Sequence, residues 1–318
     1  MIFYDISMKK KFLTLCLLTV LFAVQQADAQ QSDTPSRQVE VFCGANFVYA
    51  DTNWLHLYDV QVNATPGMRW RIGKDWAVVA QGLIPVVSYG YSFENKVNKY
   101  WRLNMASVSR QLHFNEANQH LKFSVGLFGN QRYGANVKWM WPVTSWLLLQ
   151  AQTGVTAHWL VGMDFKGNSD AELGKHFSLT GQVGANVYLE PWDIECRVSG
   201  GRYIANDYGT QIDVMRHFRH CTLLAYAQLR IGNKNNDIAS QFEKQSYRTN
   251  GGFKVIMMLP PYKKSTRKWV VRPASNFRLL NSARSDGKSM RTYNTDPEEN
   301  ERELQIDVDW GLGKETEK

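Results

Sequence analysis

The 318-residue chain is 44% hydrophobic and 21% charged, which excludes a disordered polymer and allows one large domain or two modest ones. A mean hydropathy of −0.39 excludes a chain built mainly of membrane helices. The formal net charge of +8 is unevenly distributed, and 11 Trp, 14 Tyr and 15 Phe supply rings suited to a boundary between apolar and wet surroundings.

The chain opens with an export pattern. Lys9–Lys11 give a positive start, Phe12–Val24 an apolar core, and Ala27-Asp28-Ala29 a small-x-small cleavage site before Gln30. The apolar core is shorter than the ~20 residues a spanning helix needs, so residues 1–29 read as a cleaved signal peptide. A lipoprotein signal at Cys16 is disfavoured by the bulky Leu15 before it. After Gln30 no apolar run approaches membrane-helix length, which leaves a secreted protein or an outer-membrane barrel. Cys43, Cys196 and Cys221 lack the paired spacing of a disulfide framework or zinc site, and the first two sit at apolar positions of alternating runs.

From Val39 to Ile231 the chain alternates apolar and polar residues with a period of two, the signature of strands with two unlike faces. Trp54–Asn63 and Trp76–Pro85 are strand-like. Trp101, Leu103 and Met105 occupy odd positions but Val108, Leu112 and Phe114 even ones, which predicts a bulge near Ala106–Ser107. Leu121, Phe123, Val125 and Leu127 alternate with Lys122, Ser124 and Gly126; Tyr133 to Trp141 alternate with Gly134, Asn136 and Lys138. In Phe177–Leu189 every odd residue is apolar or Gly, and the even residues are almost wholly polar. Trp192, Ile194, Cys196 and Val198 alternate with Asp193, Glu195, Arg197 and Ser199, and Leu223 to Ile231 follow the same rule.

Turn residues punctuate these runs at 73–75, 130–131, 142–145, 167–170, 190–191 and 233–237. Short gaps without helical periodicity predict an all-β antiparallel meander of about twelve strands, within a range of ten to fourteen. A sandwich would use one face as its core, whereas a transmembrane barrel turns its apolar face to lipid and its polar face to a lumen. Aromatic residues at run ends, including Trp146, Trp192 and Phe218, and polar faces rich in Gly, Ser, Thr, Asn and Gln favour the barrel. The expected organisation is a signal peptide over 1–29, a barrel over 30–285 and a polar C-terminal tail over 286–318. Within that last third, ten basic residues from Lys254 to Arg291 face one acid, and Asp296–Asp309 then carries seven acids against Arg302. Export argues against nucleic acid as the partner of the basic stretch; a headgroup-facing surface or contact with an anionic polymer remain.

A charged residue facing lipid near the midplane costs about 2–4 kcal/mol, so the charges of a barrel turn inward. The candidate lumen contacts are therefore Arg69, Arg71, Arg102, Lys122, Lys138, Asp193, Glu195, Arg197, Asp207, Asp213 and Arg230, with the uncharged Gln211 on the same polar face. His217-x-x-His220 lacks a third ligand in register and reads as two interfacial histidines at a hairpin end; no metal and no cofactor are expected. No Gly-x-Ser-x-Gly elbow or repeated Ser–His couple marks a nucleophile, so no catalytic residue is assigned.

The hairpin SGGRYIANDYGTQIDVMRHF, residues 199–218, resembles that of YjbH-like outer-membrane proteins, exopolysaccharide-associated barrels. Gly201-Arg202-Tyr203, Asp207-Tyr208-Gly209, Asp213 and Arg216-His217-Phe218 carry the likeness, with Asn186–Trp192 before them and Gly252–Pro260 after. The resemblance implies an outer-membrane barrel taking part in export or assembly of an extracellular polysaccharide, with envelope lipid, the polysaccharide and periplasmic or outer-membrane export proteins as partners. The alternatives are a general porin or structural barrel, and a barrel enzyme acting on lipid or envelope polymer.

Overall fold

The computed structural model describes residues 37–50, 59–73, 75–90, 96–114, 118–164, 167–204, 208–218, 220–231, 247–258, 267–274, 276–282 and 292–297. The expected signal peptide, the turn at 233–237 and most of the acidic stretch lie outside them.

Apart from one helical turn at Lys96–Lys99 and a 3-10 turn at Glu190–Trp192, the secondary structure among these residues is strand. The first strands are β1 (Arg37–Ala50), β2 (Asp59–Ile72), β3 (Trp76–Tyr89), β4 (Trp101–Phe114), β5 (Gln119–Phe128) and β6 (Arg132–Pro142). Then come β7 (Leu147–Met163), β8 (Ser169–Leu173), β9 (Ser178–Leu189), β10 (Ile194–Arg202), β11 (Tyr208–Phe218) and β12 (Cys221–Ile231). The last are β13 (Tyr247–Met258), β14 (Trp269–Pro273) and β15 (Asn276–Ser282). Successive strands pair antiparallel from β1 to β13, except that β8 is an appendage of β7, which passes directly to β9.

The sheet closes on itself. Along one edge β1 pairs with the whole of β2; along the other it pairs, in parallel, with β14 at Val39–Cys43 and with β15 at Asn46–Ala50. Since a strand has only two edges, β14 and β15 lie end to end at one position, and β15 continues the ring to β13. Discounting β8, the fifteen described strands thus occupy about thirteen positions, near the expected twelve. The odd count follows from the parallel closure, because the first and last strands run in the same direction.

Alternation sets the two faces. Along β9, Thr180, Asn186 and Tyr188 are buried while Leu179, Val183 and Leu189 are exposed; along β11, Asp213, Met215 and His217 are buried while Ile212, Val214 and Phe218 are exposed. The polar face therefore points into the ring. At Gly126 the inward backbone has φ +138°, and any side chain would overlap the Ala106 carbonyl of β4, so this close approach requires glycine. The bulge in β4 lies two residues before its expected place. Gln81 pairs with Met105 but Gly82 with Leu103, leaving Asn104 as the extra residue. Its side-chain amide donates to Gln81 Oε1 at 2.8 Å, which satisfies polar groups at the break in the ladder.

At the end where β1 begins, the breaks between β2 and β3, β4 and β5, β6 and β7, β9 and β10, and β11 and β12 are two to four residues long, and that between β13 and β14 is ten; at the other end they range from three residues between β5 and β6 to fifteen between β12 and β13. Exposed aromatic residues mark both ends, with Trp70, Phe114, Trp146, Trp192, Phe218 and Trp269 towards the end where β1 begins and Tyr89, Trp101, Phe177 and Tyr208 towards the other.

Candidate functional site: a polar interior crossed by residues 292–297

The interior of the ring is a wall of paired polar side chains, and the alternation that buries them also brings them into register. Arg197 of β10 donates to Asp213 of β11, its register partner, through Nε at 2.7 Å. Gln211 donates to the other oxygen of that carboxylate at 2.6 Å and accepts from Gln228 of β12 at 2.7 Å. A second network starts at Gln150 of β7, which donates to Asn186 Oδ1; Asn186 in turn donates to Glu195 Oε1 at 2.6 Å. Glu195 Oε2 meets His217 Nε2 at 3.0 Å, and His217 Nδ1 lies 3.1 Å from Thr222 Oγ1. His217 is thus an inward, buried member of the wall rather than an interfacial residue, because it shares the parity of Gln211 and Asp213.

A third cluster gathers at the seam. Glu40 of β1 holds Arg272 of β14 at 2.6 Å and Arg71 of β2 at 3.4 Å, with Arg69 at 3.9 Å. Arg69 also meets Asp296 at 2.5 Å, both side chains being over nine-tenths buried.

Asp296 belongs to a segment, residues 292–297, that lies across the interior, although the chain around it reads as a polar tail. The Asn130 amide donates to the Thr292 carbonyl at 3.1 Å, and the Gly129 N–H donates to that of Asn294 at 3.0 Å. The Tyr293 ring stacks on Phe128 with centroids 5.5 Å apart. Its hydroxyl lies 2.9 Å from the Asn136 side-chain amide and 3.2 Å from Thr180 Oγ1. Burial pushes the Tyr293 phenol above the usual tyrosine range, so the hydroxyl stays protonated and able to donate. Gly154 makes room for it, since a side chain there would overlap the hydroxyl. Ser107 of β4 donates to the Thr295 carbonyl at 2.8 Å, and Asp296 ends the crossing at Arg69 of β2.

Most sequence-predicted contacts fall within this wall. Arg69, Lys122, Lys138, Glu195, Arg197 and Asp213 are buried and inward; Arg71, Gln211 and Arg102 are half-buried, the last beside Gly162 of β7. Asp193 is instead exposed in the β9–β10 turn, where left-handed backbone at φ 49° and the Tyr188 hydroxyl, donating at 2.6 Å, hold it. Asp207 lies outside the described residues. Arg230 pairs with Gly209 and Arg248 in the ladder, and its side chain is likewise outside them. The sequence reading missed Glu40, Asn136, Thr180 and His217, all inward by parity, and also Tyr293 and Asp296, which no periodicity announces.

Among the described residues no three His, Cys, Asp or Glu side chains converge as a metal site. The arrangement is one of hydrogen bonds and paired charges among the inward side chains themselves. No protein-family model, curated protein or solved structure matches the chain.

Proposed function

We propose that the protein is a YjbH-like outer-membrane β-barrel that takes part in export or assembly of an extracellular polysaccharide through its polar interior. The observation that carries the membrane part of this reading is the inversion of burial. Lys122, Lys138, Glu195 and Asp213 are almost wholly buried, while Val183, Val198, Ile212, Leu229 and Val271 are about half exposed or more. An apolar belt of that extent is foreign to a water-facing surface and natural to a lipid-facing one. The aromatic residues at both strand ends suit the two interfaces, and the breaks of two to four residues that join five of the six successive strand pairs at the end where β1 begins suit the periplasmic side.

The polysaccharide part rests on the hairpin resemblance and on the chemistry of the wall. Amide, hydroxyl and carboxylate groups offer many weak hydrogen bonds to sugar hydroxyls, and weak repeated contacts allow a polymer to move where one tight site would hold it. Residues 292–297 lie along that path, packed against the wall from β9 to β2. The protein is read as a conduit rather than an enzyme.

Deleting the gene while measuring surface polysaccharide and small-solute uptake separates the readings. Reduced polysaccharide with unchanged uptake is expected. Unchanged polysaccharide with altered uptake would establish a general porin instead, and polymer hydrolysis by the purified protein, abolished by one Ser or His substitution, a barrel enzyme.

A further inference from the structure

We propose that Arg69, Lys122 and Lys138 form an anion-binding site on the interior wall, and that Asp296 occupies it as a tethered competitor for the carboxylates of an acidic polysaccharide. The inference deepens the proposed function, on which it rests, by naming the class of polymer.

Three observations carry it. First, Lys122 of β5 and Lys138 of β6 are register partners, both inward and about 1–2% exposed. Two like charges side by side in a buried wall are unfavourable unless an anion offsets them. Second, Lys122 Nζ is buried and has no hydrogen-bond partner among the described residues. An ammonium in that state is costly for folding alone, and apolar replacement of such charges is often neutral or stabilising. Third, burial disfavours the Lys122 charge and the Asp296 carboxylate favours it, and the same carboxylate pairs with Arg69.

The rest of the segment behaves like a stand-in for a sugar chain. The Tyr293 hydroxyl meets Asn136 and Thr180, and the Thr295 carbonyl accepts from Ser107, so hydroxyl, carbonyl and carboxylate follow one another along the wall. A chain of uronic acids presents the same succession of groups. Withdrawal of residues 292–297 would expose the cations and the hydrogen-bonding wall together, so the segment and the polymer compete for one set of side chains.

The test is calorimetric titration of the detergent-solubilised full chain with hexagalacturonate, neutral maltohexaose and monomeric galacturonate at matched carboxylate concentration. Asp296→Asn is expected to bind hexagalacturonate about tenfold more tightly than the wild type. Tyr293→Ala, which loosens the segment without touching a charge, is expected to act in the same direction and stands in if Asp296→Asn misfolds. Adding Lys122→Met to either variant is expected to reverse the gain. Equal affinity for maltohexaose, monomer binding as tight as hexamer binding, or indifference to Lys122→Met would overturn the inference. Failure of the parent reading appears separately, as unchanged surface polysaccharide in the deletion strain.

Discussion

Arg197 and Asp213 illustrate what the interior demands of single residues. Their side chains are over nine-tenths buried and 2.7 Å apart, so each charge offsets the other. Removing one partner of such a pair costs about 3–5 kcal/mol because the survivor stays buried and uncompensated, whereas replacing both by apolar groups is often nearly neutral. Asp213→Ala should therefore lower unfolding stability in micelles by about 3–5 kcal/mol, and Arg197→Met with Asp213→Leu should recover most of that loss. Additive effects of the two substitutions in urea titrations would show that the pair is not coupled. Arg197 and Asp213 are legible as inward residues because they sit on the polar parity of two clear strands. Asp193 shares that parity but falls in the turn, where alternation no longer dictates direction. Tyr293 and Asp296 are illegible for another reason: their partners Thr180 and Arg69 lie 113 and 227 residues away, and a six-residue segment carries no period.

Strand β9 shows how an element divides its two faces. Val183 is 67% exposed and its neighbour Gln182 faces the interior, half-buried. On a water-facing sheet, Val183→Arg would be a surface change worth within about 0.5 kcal/mol. Facing lipid near the midplane it should cost about 2–4 kcal/mol, visible as loss of the heat-modifiable folded band on electrophoresis. Gln182→Arg should retain that band, and equal tolerance of both substitutions would argue against a lipid-facing exterior. The face assignments of β5, β6, β9, β10 and β11 were all readable in the sequence, because each strand keeps one parity throughout. In β4 the phase change was readable but its place was not. Leu103 and Met105 are both apolar, so nothing local marks Asn104 between them as the residue left out of register.

At the scale of the whole molecule, the sequence announces strands and a meander, but not how the ring closes. The seam joins β1 to β14 and β15 in parallel, a pairing between segments more than two hundred residues apart that local alternation cannot specify. Across it, Arg272 donates to Glu40, so the seam carries side-chain contacts as well as backbone pairing. The proposed function requires the outside of this closed sheet to meet lipid and the inside to meet water and polymer. Spin labels at single cysteines, placed in proteoliposomes in a background lacking the native cysteines, test it most directly. Outward positions Val125, Val183, Val198 and Val214 should be accessible to oxygen and shielded from a water-soluble nickel chelate, with weaker oxygen access at inward Ser124 and Gln182. Strong chelate access at the outward positions, equal to that of an exposed loop, would place that face in water and rule out a lipid-facing exterior.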